Sequence, residues 1–239
     1  MVKSSAASTR ATIYLLHGWS VNQLNKNKWQ PLIDQLAALG VKTVFLPIPG
    51  LTAPLNEVWD LPDFINWLAK SLPNQPVILL GHSFGGQLAA AFAARYSSRV
   101  DKLILIDSSG VRDHSFFAVT KRTIFLLMAK VGKLLFKNEK LRKFLYRAAR
   151  EQDYLNAPPL LRRSMSNILD AEIGAELASI KCETLLIWGQ NDRVTPLWLG
   201  KFFHRQISKS KLRVIDEARH SPQFTHTQQV AQLVADFVN

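Results

Sequence analysis

Cysteine is almost missing from this chain of 239 residues: Cys182 stands alone. A single thiol closes no internal disulfide, so a hydrophobic core has to hold the fold, and a reducing compartment suits the usage. No run of 18 or more apolar residues occurs, so no membrane-spanning helix is expected. The first ten residues are mostly small or polar, with no apolar stretch, so no signal peptide is expected and the cytoplasm is the expected location. Acidic residues are scarce as well, 18 Asp and Glu against 30 Lys and Arg, for a net charge of +12. The imbalance is local. Residues 111–170 carry 13 basic and 5 acidic side chains, about two-thirds of the excess. No nucleic-acid recognition motif accompanies the charge, and no His, Cys, Asp or Glu cluster has metal-ligand spacing, so neither nucleic acid nor metal is an expected partner. Internal repeats and low-complexity tracts are absent too, and nothing in the pattern specifies an oligomeric state.

What is present is ordinary for a globular enzyme-sized domain: 47% apolar and 20% charged residues. The chain is organised around residues 77–86, Val-Ile-Leu-Leu-Gly-His-Ser-Phe-Gly-Gly. A short apolar run meets a serine flanked by glycines, and an alanine-rich helical stretch follows at once. This is G-x-S-x-G in a strand–turn–helix setting, where the turn lifts Ser83 off the end of a strand. Similar short apolar runs at 11–16, 41–46, 76–80, 102–106, 184–188 and 212–215 read as strands. Helical patterns over 29–39, 60–71 (capped by Asp60, with Pro62 in the first turn), 84–96, 197–206 and 227–237 alternate with them. Strands buried on both faces and alternating with helices predict an α/β fold with a mostly parallel, doubly wound sheet. Regular alternation stops between 111 and 180, where apolar clusters such as 124–128 and 144–146 are separated by lysines and arginines. This reads as a helical cap or lid inserted after the fourth strand, splitting the core into 1–110 and 181–239.

A serine hydroxyl needs a base and a group to orient that base. Of six histidines, His220 is placed best, between the last strand and the last helix and so at the same sheet edge as Ser83. His82, beside Ser83 in the turn, is expected to point away from it. Structural or solvated roles suit His82, His114, His204 and His226. Asp192, just past the fifth strand, is the preferred acid, because the chain order serine, acid, histidine is met. Asp107, at the end of the fourth strand, competes with it; its simpler role is to cap a turn through the next backbone N–H groups. An oxyanion hole needs two preorganised donors, for which the backbone N–H groups of Phe84 and Trp19 are the candidates. The Trp19 indole is also placed to line an acyl pocket.

These motifs resemble the α/β-hydrolase superfamily over nearly the whole chain: His17-Gly18-Trp19, Gly81-His82-Ser83-Phe84-Gly85-Gly86, Trp188-Gly189-Gln190-Asn191-Asp192 and Arg219-His220-Ser221-Pro222. The opening His-Gly-Trp is similar to that of small bacterial serine carboxylesterases, among them the pimeloyl-ester hydrolases. The stretch Leu46-Pro47-Ile48-Pro49-Gly50-Leu51 departs from the Asp-Leu-Pro-Gly-x-Gly of that family. The resemblance implies that the first strand corresponds to the family's third, with no antiparallel hairpin before it. It also implies a cofactor-free serine hydrolase that cleaves small carboxylic esters through Ser83, His220 and Asp192 and a covalent acyl-enzyme. A thioesterase or C–C bond hydrolase on the same residues is one alternative; a ligand-binding protein with little turnover is another. The basic stretch 121–147 would also allow weak association with an anionic membrane surface, although a solvated basic lid face is the preferred reading.

Overall fold

The computed structural model describes residues 11–19, 25–112 and 157–239. Most of the expected lid, including His114, lies outside these residues. Six strands form one sheet in the order β2-β1-β3-β4-β5-β6, all pairs parallel. They are β1 Thr12–Leu16, β2 Lys42–Phe45, β3 Val77–His82, β4 Val100–Ile106, β5 Glu183–Gly189 and β6 Ser210–Ile215. The helices are α1 Asn25–Ala38, α2 Leu61–Ser71, α3 Phe84–Arg95, α4 Pro159–Asp170, α5 Leu197–Gln206, the single turn α6 Pro222–Thr225 and α7 Thr227–Val238.

Side chains alternate across a strand, and in the middle of this sheet both faces are covered, so the central strands are apolar over most of their length. Val77, Leu79, Leu103, Leu105, Leu186 and Trp188 enter one core, with α2, α3, α4 and α5. Ile78, Leu80, Ile104, Ile106, Leu185 and Ile187 enter the other, with α1 and α7. The edge strand β6 is half-exposed and carries Lys211 and Arg213, charges that discourage pairing with another chain. α2 starts as its sequence predicts: Asp60 accepts from Asp63 N–H, and the Asp63 carboxylate accepts from Asp60 N–H. α1 starts at Asn25, four residues before the expected Trp29, because its first turn is polar and shows no apolar period. β3 runs two residues past its expected end, to His82, and β6 begins at Ser210 rather than 212.

The sheet order reverses between β1 and β3, since β2 lies beyond β1 and every later strand lies beyond β3. In such a sheet the carboxyl ends at the reversal open a crevice. Ser83 leaves β3 there, and His17-Gly18-Trp19 leaves β1 there. The described part of the expected insertion closes down near this edge. Trp59 N–H donates to Ser164 Oγ of α4 at 2.8 Å, and Gln87 Nε2 of α3 donates to Ala171 O at 3.0 Å.

Candidate active site

The turn after β3 is built by close approach. A Cβ on Gly81 would run into Gly85 O, and one on Gly85 into the carbonyls of Leu16 and His17. Only glycine lets the strand, the turn and the first turn of α3 pass so near β1. Ser83 itself sits at φ 53°, ψ −117°, a conformation that costs an L-residue about 1–3 kcal/mol. Its backbone is pinned on both sides: its N–H donates to Ile106 O at 3.0 Å, and its carbonyl accepts from Ser109 N–H at 3.1 Å.

Three side chains from separate strand ends meet here. Ser83 Oγ lies 3.0 Å from His220 Nε2, and His220 Nδ1 lies 2.8 Å from Asp192 Oδ2. Asp192 is fully buried, while the imidazole is 22% exposed and so can be reached from outside. The loops that carry them are tied together, Gln190 N–H to Ile215 O at 3.0 Å and Asn191 N–H to Ala218 O at 2.8 Å. Burial by itself would raise the pKa of Asp192. The hydrogen bond and charge of His220, with hydrogen bonds from Thr195 and Val194 N–H, outweigh it and hold the group below the usual carboxylate value. A carboxylate kept ionised beside Nδ1–H leaves Nε2 bare to accept the serine proton.

Phe84 opens α3, so its N–H precedes the helical hydrogen-bond ladder. Gly18 lies against Ser83: a Cβ on it would come 3.2 Å from Ser83 Cβ. The Gly18 carbonyl is drawn aside by His17 Nδ1–H, at 2.7 Å. In a trans peptide the N–H of Trp19 then points the opposite way. His17 is held in turn: Thr52 Oγ1–H donates to its Nε2 at 2.9 Å, Ile48 N–H donates to Thr52 Oγ1 at 2.9 Å, and Phe45 stacks on the ring. Burial lowers the pKa of His17 to about 4 against the help of the Gly18 carbonyl, so the ring is neutral. The Trp19 ring meets Phe84 edge-on at 6.2 Å, and its indole Nε1 is buried with no partner.

Some residues of this cluster have no signal in the sequence. Thr195 Oγ1 lies 2.7 Å from Asp192 Oδ2, 3.1 Å from His220 Nδ1 and 3.0 Å from the Asp107 carbonyl, and its position is fixed by tertiary folding alone. His82 makes no hydrogen bond to Ser83. Its Nε2–H donates to the His220 carbonyl at 2.8 Å and burial pushes its pKa to about 3, so it is a neutral support under the loop that carries His220. His204 bonds Ser210 Oγ on the surface, and His226 pairs with Thr225 at an exposed helix start. Asp107 does not cap its own turn. Its Oδ1 reaches across to Gly189 N–H at 2.9 Å, because the left-handed backbone at φ 42° turns the side chain towards β5. One oxygen of Asp107 and one nitrogen each of His82 and His220 lie within 4.8 Å of one another. The sequence shows no such cluster, since its members are far apart in the chain. His220 commits both nitrogens to Ser83 and Asp192, and His82 commits Nε2 to a carbonyl, so the group is a hydrogen-bonded cluster rather than a metal centre.

The model of the alpha/beta hydrolase fold family matches residues 11–227. The chain belongs to that family. Among similar proteins of this α/β-hydrolase, the pimeloyl-[acyl-carrier protein] methyl ester esterase of Neisseria meningitidis serogroup C is 27% identical, over 95% of this chain and 93% of that one. A 2-hydroxy-6-oxononadienedioate/2-hydroxy-6-oxononatrienedioate hydrolase of Escherichia coli K12 is also 27% identical, over 95% of this chain and 86% of that one. Among solved structures, a meta-cleavage product hydrolase from Pseudomonas fluorescens IP01 superposes with a TM-score of 0.68 at 22% identity, covering 95% of this α/β-hydrolase and 90% of that chain. That last likeness concerns the fold. By name, one of these sequence relatives is a methyl ester esterase and the other a hydrolase of 2-hydroxy-6-oxononadienedioate and 2-hydroxy-6-oxononatrienedioate.

Proposed function

We propose that this α/β-hydrolase is a serine esterase acting on small carboxylic esters. The observation that carries the reading is the unbroken hydrogen-bonded line from Ser83 Oγ through His220 to buried Asp192, mounted on a strained turn. His220 Nε2 accepts the Ser83 proton as Oγ attacks the ester carbonyl. The oxyanion that forms accepts from the N–H groups of Phe84 and Trp19, at the positive end of α3. His220, now an imidazolium held by Asp192, gives its proton to the leaving alcohol. Water, deprotonated by the same nitrogen, then releases the acid from the acyl-enzyme. No step calls on a cofactor.

The ester-cleaving relative supports an ester of a carboxylic acid as substrate. The second relative supports a competing reading, cleavage of a C–C bond next to a carbonyl on the same residues. Hydrolysis of short p-nitrophenyl esters separates them. Wild type should turn these over and label with a fluorophosphonate, and Ser83→Ala should lose both while its circular dichroism stays unchanged. A loss of about 10³-fold or more is expected, since removing the nucleophile leaves only binding and the oxyanion donors. Undiminished turnover in Ser83→Ala would overturn the reading. Labelling without ester turnover would favour the C–C alternative, and an intact protein that neither labels nor turns over would favour a ligand-binding role.

A further inference from the structure

Gln87 is the one polar residue among the ten buried residues of α3, one helical turn past Ser83, and it is only 3% exposed. A leucine would meet the needs of packing there, and a buried amide is costly unless its polar atoms are paired. Here they are. Nε2 donates to Ala171 O at 3.0 Å and to Ile168 O at 3.4 Å, carbonyls at the end of α4, and Oε1 accepts from Ser109 Oγ–H at 3.2 Å. Carbonyls can only accept, so they fix which end of the amide faces α4. Ser109 lies just past β4, and the Ser83 carbonyl accepts from its N–H and from the N–H of Gln87, each at 3.1 Å. One side chain thus ties together the segment leaving β4, the segment returning through α4 and the turn that carries Ser83. The two segments are also fastened directly: Ile173 N–H donates to Gly110 O at 2.8 Å, and Arg112 Nε–H donates to Leu169 O at 2.9 Å.

Earlier in α4, Ser164 Oγ accepts from Trp59 N–H at 2.8 Å, and Asn167 Nδ2 donates to Trp59 O at 3.4 Å. From Trp59 a row of rings runs back to the site. Trp59 meets Phe64 edge-on at 5.0 Å, Phe64 meets Phe84 at 5.5 Å, and Phe84 meets Trp19 at 6.2 Å. Phe84 and Trp19 carry the two proposed oxyanion donors, so the row starts beside the reacting carbonyl and ends at α4. It offers an apolar acyl chain a surface to lie along. We propose that Gln87 is a specificity-determining residue, which fixes α4 over this row and so sets the acyl-chain length that the site accepts. The inference rests on the serine-hydrolase reading. Gln87 touches no reacting atom; it acts through the position of α4. With its hydrogen bonds removed, the end of α4 keeps only the Arg112 and Gly110 links named above. That wall can then shift away from the chain, while the carbonyl and its donors stay where they are.

The test takes wild type, Gln87→Met and Ser83→Ala in the full chain and measures kcat and KM on p-nitrophenyl esters from acetate to octanoate, with thermal unfolding of each variant. Gln87→Met keeps the length and bulk of the side chain and removes its donors and its acceptor. Acetate is too short to reach α4, so kcat and KM on it should stay within about twofold of wild type. Over the longer esters the spread of kcat/KM should shrink by about tenfold, through KM, because the wall no longer discriminates between chain lengths. An unchanged chain-length profile in Gln87→Met, whatever its unfolding temperature, overturns the inference, since the hydrogen bonds then serve stability alone. A wild-type profile that is itself flat overturns it as well. So does an equal loss on every ester, acetate included, which marks a disturbed Ser83 turn. Should Gln87→Met not fold, Gln87→Asn decides by the same profile; it keeps a buried amide but ends one methylene short of the α4 carbonyls. If Ser83→Ala is dead and the Gln87 variants match wild type, only the role of Gln87 fails. If Ser83→Ala is active, the serine-hydrolase reading fails and the inference with it.

Discussion

Two imidazoles packed without charge make the site sensitive to acid. Burial, the largest influence on each, takes His17 to about 4 and His82 to about 3. In the unfolded chain both titrate near 6.5. Below that pH the unfolded state takes up protons that the folded state refuses, so stability falls as pH drops from about 6.5 towards 4. The slope is about 1.4 kcal/mol per pH unit for each group. Asp107 has the opposite sign. Its unfolded carboxyl ionises near 3.8 and its folded one near 8, so it lowers stability as pH rises through that window. Urea unfolding from pH 4 to 8 should therefore show wild type losing stability on the acid side. His82→Gln, which keeps a donor for the His220 carbonyl, should flatten that acid slope. Asp107→Asn, which keeps an acceptor for Gly189 N–H, should gain stability at pH 8 and little at pH 4. An acid slope that His82→Gln leaves untouched would show that His82 is protonated in the fold.

At the level of elements, the segment after β1 depends on a stretch that follows β2. Ile48 N–H, Thr52 Oγ1, His17 and the Gly18 carbonyl form one directed chain of hydrogen bonds, and its last link sets where Trp19 N–H points. Thr52→Val keeps the shape but removes the donor to His17 Nε2. The Gly18–Trp19 peptide is then free to turn. Loss of one aligned oxyanion donor costs about 10²-fold or more in kcat, and a loosened one should cost about tenfold with little change in KM. Thr52→Ser should restore most of the rate; equal loss in both variants would point to a packing defect. This relay shows where sequence reading stops. The strand-turn-helix around Ser83, the sheet, and the positions of Asp192 and His220 past their strands are legible because local patterns, hydrophobic period and flanking glycines, produce them. The departure at 46–51 is visible as a missing acid and glycine, but not that Thr52 bonds His17 across 35 residues. The contacts of Thr195 with Asp192 and of Asp107 with Gly189 N–H are hidden for the same reason: a hydroxyl or carboxyl acquires its partner only when separate strand ends are brought together.

For the molecule as a whole, the dominant feature is its positive charge, +12 overall. Among the described residues some of it stands close to the proposed chemistry. Exposed Arg193 and Arg219 line a cleft of about 320 Å³ together with Asn191 and Asp192, one residue away from the acid and the base respectively. Asp192 is buried and paired with His220, so its charge is offset locally and the cleft presents the two guanidinium groups to solvent. Such a field speeds the arrival of anions and leaves neutral molecules indifferent, and salt erases it once the Debye length shrinks below the distance over which it acts. The prediction compares two esters with the same reacting group, one neutral and one bearing a distant carboxylate. From about 0.01 M to about 0.5 M salt, kcat/KM for the anionic ester should fall by about tenfold while that for the neutral ester stays nearly constant. The change should lie in kcat/KM and not in kcat, because attraction acts before the bond is attacked. Arg193→Gln with Arg219→Gln should reduce the salt dependence for the anionic ester and leave the neutral one alone. An anionic ester that is no more sensitive to salt than its neutral twin would mean that the charge serves some other surface of the molecule.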